Sequence, residues 1–217
     1  RFLQKSEVLK LMAMKMNDRE AELARQMFVF SCFTGLAIAD MEQLQHKHIQ
    51  TAADGRKYIR KERQKTKMEF IVPLHPIAET IIRHCMEEQE ENGEQQAVKE
   101  KGDSLIFPHE CSRSVINDRL SIVGKACGIR QRLSYHMARH TFGTMCLSAG
   151  IPIESIAKMM GHASISSTQI YAQVTDKKIS EDMDRLIAKQ SEMKREPTEK
   201  GACEPSDISI YKMEETA

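Results

Sequence analysis

Apolar residues in the first part of the chain recur at three- and four-residue steps. In KSEVLKLMAMKM (5–16), Val8, Leu9, Met12 and Met16 fall on one side, and Ser6 can cap the first free N–H groups. The pattern predicts an amphipathic helix. DREAELARQMFVFSCF (18–33) predicts a second, more buried helix that stops at Gly35, and ADMEQLQ (39–45) a short third one. The period then changes. Within 46–74, Asp54-Gly55 marks a turn, and KYIRKER and MEFIVPL alternate as strands around a second turn near Lys65 and Thr66. A three-stranded antiparallel sheet is expected there. Helical spacing returns at 77–91, 112–127 (stopped by Gly128), 134–148 (stopped by Gly150), 151–160 (Pro152 in the first turn, Gly161 at the end), 164–174 and 176–190. The fold class is therefore mainly α with a small antiparallel sheet, α+β.

From Ser191 onward the chain is charged, contains Pro and lacks large apolar residues, so disorder is expected over 191–217. A length of 217 residues suits one domain or two small ones. No apolar run approaches the length of a membrane span and no leader pattern is visible, so a cytoplasmic protein without membrane contact is expected. Six scattered cysteines without a C-x-x-C pair predict free thiols and no metal site. The absence of a Gly-rich phosphate loop predicts no nucleotide, and no cofactor is expected.

The net charge of +1 conceals segregation. Seven basic residues (Arg56, Lys57, Arg60, Lys61, Arg63, Lys65, Lys67) stand against Glu62 alone between positions 56 and 67. Six more, including Arg113, Arg130, Arg132 and Arg139, stand against Asp118 between 113 and 139. Acidic residues gather in 86–96 and after Thr175. Such blocks predict a face for a polyanion, with Arg56, Lys57, Arg60, Lys67, Arg113, Arg130 and Arg132 as the positions that meet its charged backbone.

SYHMARHTFGT (134–144) carries the most specific chemistry. His136 and Arg139 are three apart on a predicted helix and share a face, a pairing that makes sense around an anion. Lys65 sits on the predicted hairpin, Gly161-His162 at a helix junction, and Tyr171 nine residues later on a polar helix. In this order, with Thr34-Gly35-Leu36, His140-Thr141 and Thr168, the residues resemble the catalytic domain of the tyrosine recombinases, the phage-type integrases. TGLAIAD and HMARHTF look most like integrases of conjugative and mobilisable transposons of Bacteroides-type bacteria.

The resemblance implies site-specific DNA recombination, for integration and excision of a mobile element, through a 3′-phosphotyrosyl intermediate without metal or ATP. Tyr171 is then the nucleophile, Arg139 the phosphate clamp, Lys65 the general acid, His136 the group handling the nucleophile's proton and His162 a phosphate donor. His140 is expected to point away from His136 and make a structural hydrogen bond. One position departs from the pattern: where the family reads T-G-L-R, this chain has Ala37. Arg63, two residues before Lys65 and so on the same face of a strand, or Arg25 on the preceding helix, is expected to substitute.

The resemblance also implies double-stranded DNA as the partner of the basic face, a catalytic domain over 1–175, and a helix at 176–190 that packs either on its own domain or on a neighbouring protomer of a tetramer on DNA. It leaves room for an accessory DNA-bending protein, a nucleoid-associated location in a bacterium, and an N-terminal DNA-clamping domain missing from this stretch, which begins at Arg1. Two competing readings remain at this point: a catalytically impaired DNA-binding or architectural protein, which Ala37 favours, and a type IB-like topoisomerase.

Overall fold

Helix α2 (Arg19–Thr34) organises the first of two units, Arg1–Gln173 and Val174–Ala217. It packs against α1 (Lys5–Ala13), α4 (Pro76–Glu91), α5 (Arg113–Ala126) and α6 (Tyr135–Ser148). The run MFVFSC explains this position, because its residues are buried on every side of the helix. Phe30 meets the Phe107 ring edge-on at 5.1 Å, and the Tyr135 hydroxyl donates to the Ala24 carbonyl at 3.2 Å. The computed structural model describes residues 1–91, 102–108, 112–169, 183–184 and 187–188.

The sheet has the expected three antiparallel strands in the order β1 (Ile49–Thr51), β2 (Lys57–Glu62), β3 (Glu69–Pro73). Ile59 pairs with Ile49 and Val72, and Lys61 with Phe70. Ile59, Phe70 and Val72 bury one face, while Arg60, Glu62 and Glu69 are exposed, as period-two alternation requires. Helix α7 (Ile153–Met159) packs on β3, on α6 and on α8 (Ser166–Gln169). Phe142 and Cys146 of α6 form a small apolar cluster with Ile156 and Met160. Short α3 (Ile38–Met41) joins α2 to the sheet region.

Local chemistry sets the ends. Asp18, Ser112 and Ser134 accept from Ala21, Val115 and Met137 as N-caps of α2, α5 and α6. Gly35 closes α2 at φ 69°, and its Cα lies so close to Phe142 that an added Cβ would sit 2.4 Å from the ring. Helix α1 departs from expectation. Its N-cap is Gln4, not Ser6, because Gln4 and Glu7 form a reciprocal capping box. Its buried side is Val8 and Leu11, while Leu9 is exposed, and it ends at Ala13 rather than Met16.

Of the expected helix at 164–174, Ser166–Gln169 is helical (α8) and Ser164-Ile165 form a bend and turn before it, whereas 170–174, with Tyr171, and the tail 191–217 lie outside the described residues. In the second unit, 183–184 and 187–188 are helical, with Met183 and Ile187 exposed. Among the described residues no helix is long and apolar enough to cross a membrane.

Candidate active site

An open cleft of about 480 Å³ lies where α6, the β2–β3 hairpin and the end of α7 meet. Arg63, Lys65, Thr66, His136, Arg139 and His162 line it, with Ala37 in the wall. No carboxylate lines it among the described residues. Four of the five predicted catalytic positions therefore share one cleft: Lys65, His136, Arg139 and His162. The fifth, Tyr171, lies outside the described residues.

Each side chain is placed by a separate element. His136 is in the first turn of α6 and exposed; Arg139, one turn on, is 6% exposed. The Arg139 guanidinium donates to the carbonyls of Gly35 and Met160, the closing residues of α2 and α7. Helix ends leave such carbonyls without intrahelical partners, and they carry partial negative charge. Lys65 is exposed on the hairpin turn, without an ion-pair partner among the described residues.

Arg63 does not reach the cleft by the expected route. Strand β2 ends at Glu62, so strand parity does not link Arg63 to Lys65. Instead Arg63 Nη1 donates to the Gly161 carbonyl at 3.2 Å, and Nε is 3.6 Å from Oδ2 of Asp40. That Nε is buried without a hydrogen bond among the described residues. Thr66 also donates to Gly161, at 3.1 Å. Arg25, the alternative substitute, is not among the lining residues. It donates to Glu22 (Nε to Oε2, 2.9 Å) and to the Leu11 carbonyl at 2.7 Å, tying α2 to α1. A guanidinium so committed between two helices is a structural link, and Arg25 does not stand in for the side chain absent at Ala37.

His162 follows Gly161, whose φ of 59° turns the chain out of α7. Its Nδ1 is 2.7 Å from the buried Thr168 hydroxyl. Burial, then the guanidiniums of Arg139 and Arg63 and the nearby His140, push its pKa down to about 4, so the ring is neutral at pH 7. In the tautomer whose Nδ1 accepts from Thr168, the ring proton sits on Nε2 and can be donated. His140 corrects its expectation. The i, i+4 spacing brings it back to the face of His136, with the two Nε2 atoms 2.7 Å apart. Burial, followed by His136 and neighbouring cations, lowers its pKa to about 4.

Asp40 was not nominated from sequence. It is buried, accepts from the Gln64 backbone N–H at 2.9 Å and faces Arg63, so it fixes the base of the hairpin. The available signal was a carboxylate set between apolar Ile38 and Met41 in a short helix. The predicted DNA-facing cations are less available than their number suggested. Arg56 pairs with Asp54, Lys57 with Glu79, Arg60 with Glu69, Lys67 with Glu62 and Arg113 with Glu42. Exposed pairs of this kind are worth at most about 1 kcal/mol and yield to a denser anion. Arg130 and Arg132 are exposed without an acidic partner among the described residues.

Residues 1–178 match the profile of the phage integrase family. The chain belongs to that family. Among its relatives, tyrosine recombinase XerD of Listeria monocytogenes serotype 4b (strain F2365) is 30% identical over 152 residues, covering 65% of this chain and 47% of XerD. This phage integrase family member thus spans about half the length of the recombinase it matches. The crystal structure of XerA recombinase superposes with a TM-score of 0.64 at 20% identity, over 86% of this chain and 65% of that one. The Tn1549 transposon integrase, in complex with transposon right end DNA, gives 0.62 at 16% identity over 86% and 66%. These likenesses establish the recombinase catalytic-domain fold for the chain.

Proposed function

We propose that this chain is the strand-cleaving and rejoining part of a site-specific DNA recombinase that moves a mobile element. The observation that carries the reading is the convergence of Arg63, Lys65, His136, Arg139 and His162 on a cleft with no carboxylate lining it among the described residues. A phosphodiester is a fitting occupant: it is anionic, accepts several hydrogen bonds and gains charge at its oxygens as phosphorus is attacked. Family membership and DNA in the Tn1549 integrase complex support the same substrate class.

In this reading the Tyr171 phenol attacks phosphorus as His136 takes its proton. The bond from phosphorus to the 5′-oxygen breaks, and Lys65 protonates the departing oxygen. The bond to tyrosine preserves the phosphoryl group for rejoining, so no ATP is consumed. Arg139 and His162 Nε2–H hold the non-bridging oxygens. Arg63 takes the part left vacant at Ala37, supported by its place in the same cleft. Residues 176–190 join protomers of a tetramer on DNA, and removing 176–217 is expected to abolish that assembly.

The test is a pool of nicked duplexes of randomised sequence, in which the nick traps the covalent intermediate. An SDS-stable adduct with wild type, lost in Tyr171→Phe and reduced about 10²–10³-fold in rate in Arg63→Ala, is expected. Ala37 also favours a second reading, a DNA-binding protein without cleavage. Retarded DNA without any adduct would establish that reading in place of the first.

A further inference from the structure

We propose that His136 and His140 form a binding site for a divalent transition-metal cation of the zinc or nickel type, one that draws His136 away from the cleft. His136-Met137-Ala138-Arg139-His140 places two imidazoles four residues apart on a 14-residue helix. Two histidines at this helical spacing can share one metal ion through their outer nitrogens. Here the two Nε2 atoms are 2.7 Å apart, with ring centroids at 4.2 Å and planes at 86°.

Metal–imidazole bonds of about 2.0–2.1 Å at a tetrahedral or octahedral angle require nitrogens roughly 3 Å apart. A small side-chain rotation, with the donating ring's Nε2 proton passing to its own Nδ1 by exchange with water, frees both Nε2 lone pairs for one cation. His136 is exposed and His140 half-buried, so the pair is reached from solvent. The intervening Arg139 donates to the carbonyls of Gly35 and Met160.

Imidazole donors select zinc, nickel and copper over magnesium and calcium. Among the described residues no group of three or more His, Cys, Asp or Glu could hold a metal, so water fills the other positions. With only two protein ligands, binding is expected to be reversible by EDTA. The binding claim stands apart from the recombinase reading. Its consequence rests on that reading: a His136 whose lone pair is held by metal cannot accept the nucleophile's proton, so zinc inhibits.

The test is calorimetric titration of the 217-residue chain with ZnCl₂, NiCl₂ and MgCl₂. Zinc and nickel are expected to fill one saturable site that weakens at least about tenfold in His136→Ala and in His140→Asn. Magnesium should not bind, and His84→Ala, beside Glu87 and Glu88 on α4, should leave zinc binding unchanged. Circular dichroism in EDTA establishes that the variants are folded. No saturable zinc binding, or affinity unaltered in both pair variants, overturns the site. Zinc that binds but leaves adduct formation intact overturns the inhibition while the site stands.

Discussion

The Gly161 carbonyl accepts a hydrogen bond from Arg63 Nη1 at 3.2 Å, and the same glycine packs against the stem of that arginine. A Cβ added there would lie 3.2 Å from Arg63 Cδ and 3.3 Å from Phe70 Cβ, at a φ of 59° that side chains disfavour. Gly161→Ala is therefore expected to cost about 2–3 kcal/mol, from the left-handed backbone and the crowding together. The hairpin is pushed outward with it, so adduct formation should fall further than the population of folded protein. Urea denaturation beside the nicked-duplex assay measures the two separately.

Asp40→Asn keeps an acceptor for the Gln64 N–H but removes the charge facing Arg63. A loss of about 1–3 kcal/mol is expected, with Asp40→Ala worse because both contacts go. Denaturation midpoints for the two variants check the order. Equal stability of Asp40→Ala and wild type would refute the role assigned to the carboxylate.

Tyr135 also touches the cleft, yet its hydroxyl donates to the Ala24 carbonyl and burial pushes its pKa far above the ordinary phenol value. Tyr135→Phe should cost about 1 kcal/mol and still form the covalent adduct. Tyr171→Phe should retain stability and form none. The reverse pattern would move the nucleophile to α6.

Acid should destabilise the fold through His162. Its pKa is about 4 in the folded chain against a usual 6.5, so the unfolded chain binds the proton first as pH falls. The stability contribution is complete above 6.5 and is lost progressively down to about 4. Allowing for solvent screening of a half-buried ring, the loss is about 1–2 kcal/mol. Denaturation at pH 7 and pH 4.5 should show a smaller difference in His162→Gln. The slope that remains includes His140, shifted in the same direction.

Much of the architecture was legible because its signals are local. Asp54-Gly55, the alternation through Ile59 and the glycines after α2, α5 and α6 each act within a few residues. The end of α1 was misread because Met14 and Met16 continue the apolar rhythm after the hydrogen-bonded helix has stopped. At the cleft, residue order identified Lys65, His136, Arg139 and His162. Asp40 stayed hidden because its partners, Gln64 and Arg63, are brought to it by folding. The direction of His140 is legible from its four-residue spacing to His136, which places the two rings on one helix face. Ion pairing between the sheet and α4, as of Lys57 with Glu79, is likewise invisible to a count of charges along the chain.

Met160 accepts from Arg139 and Gly161 from Arg63, so two cations from distant parts of the chain take their bearings from neighbouring peptide groups. Arg63 and Gly161 are 98 positions apart, yet small errors in the intervening loops do not accumulate between the two guanidiniums. A loop insertion that spares this peptide leaves their spacing intact, whereas a slight rotation at the end of α7 displaces both together. Sequence drift can thus be absorbed around the cleft without altering the separation of its two guanidiniums.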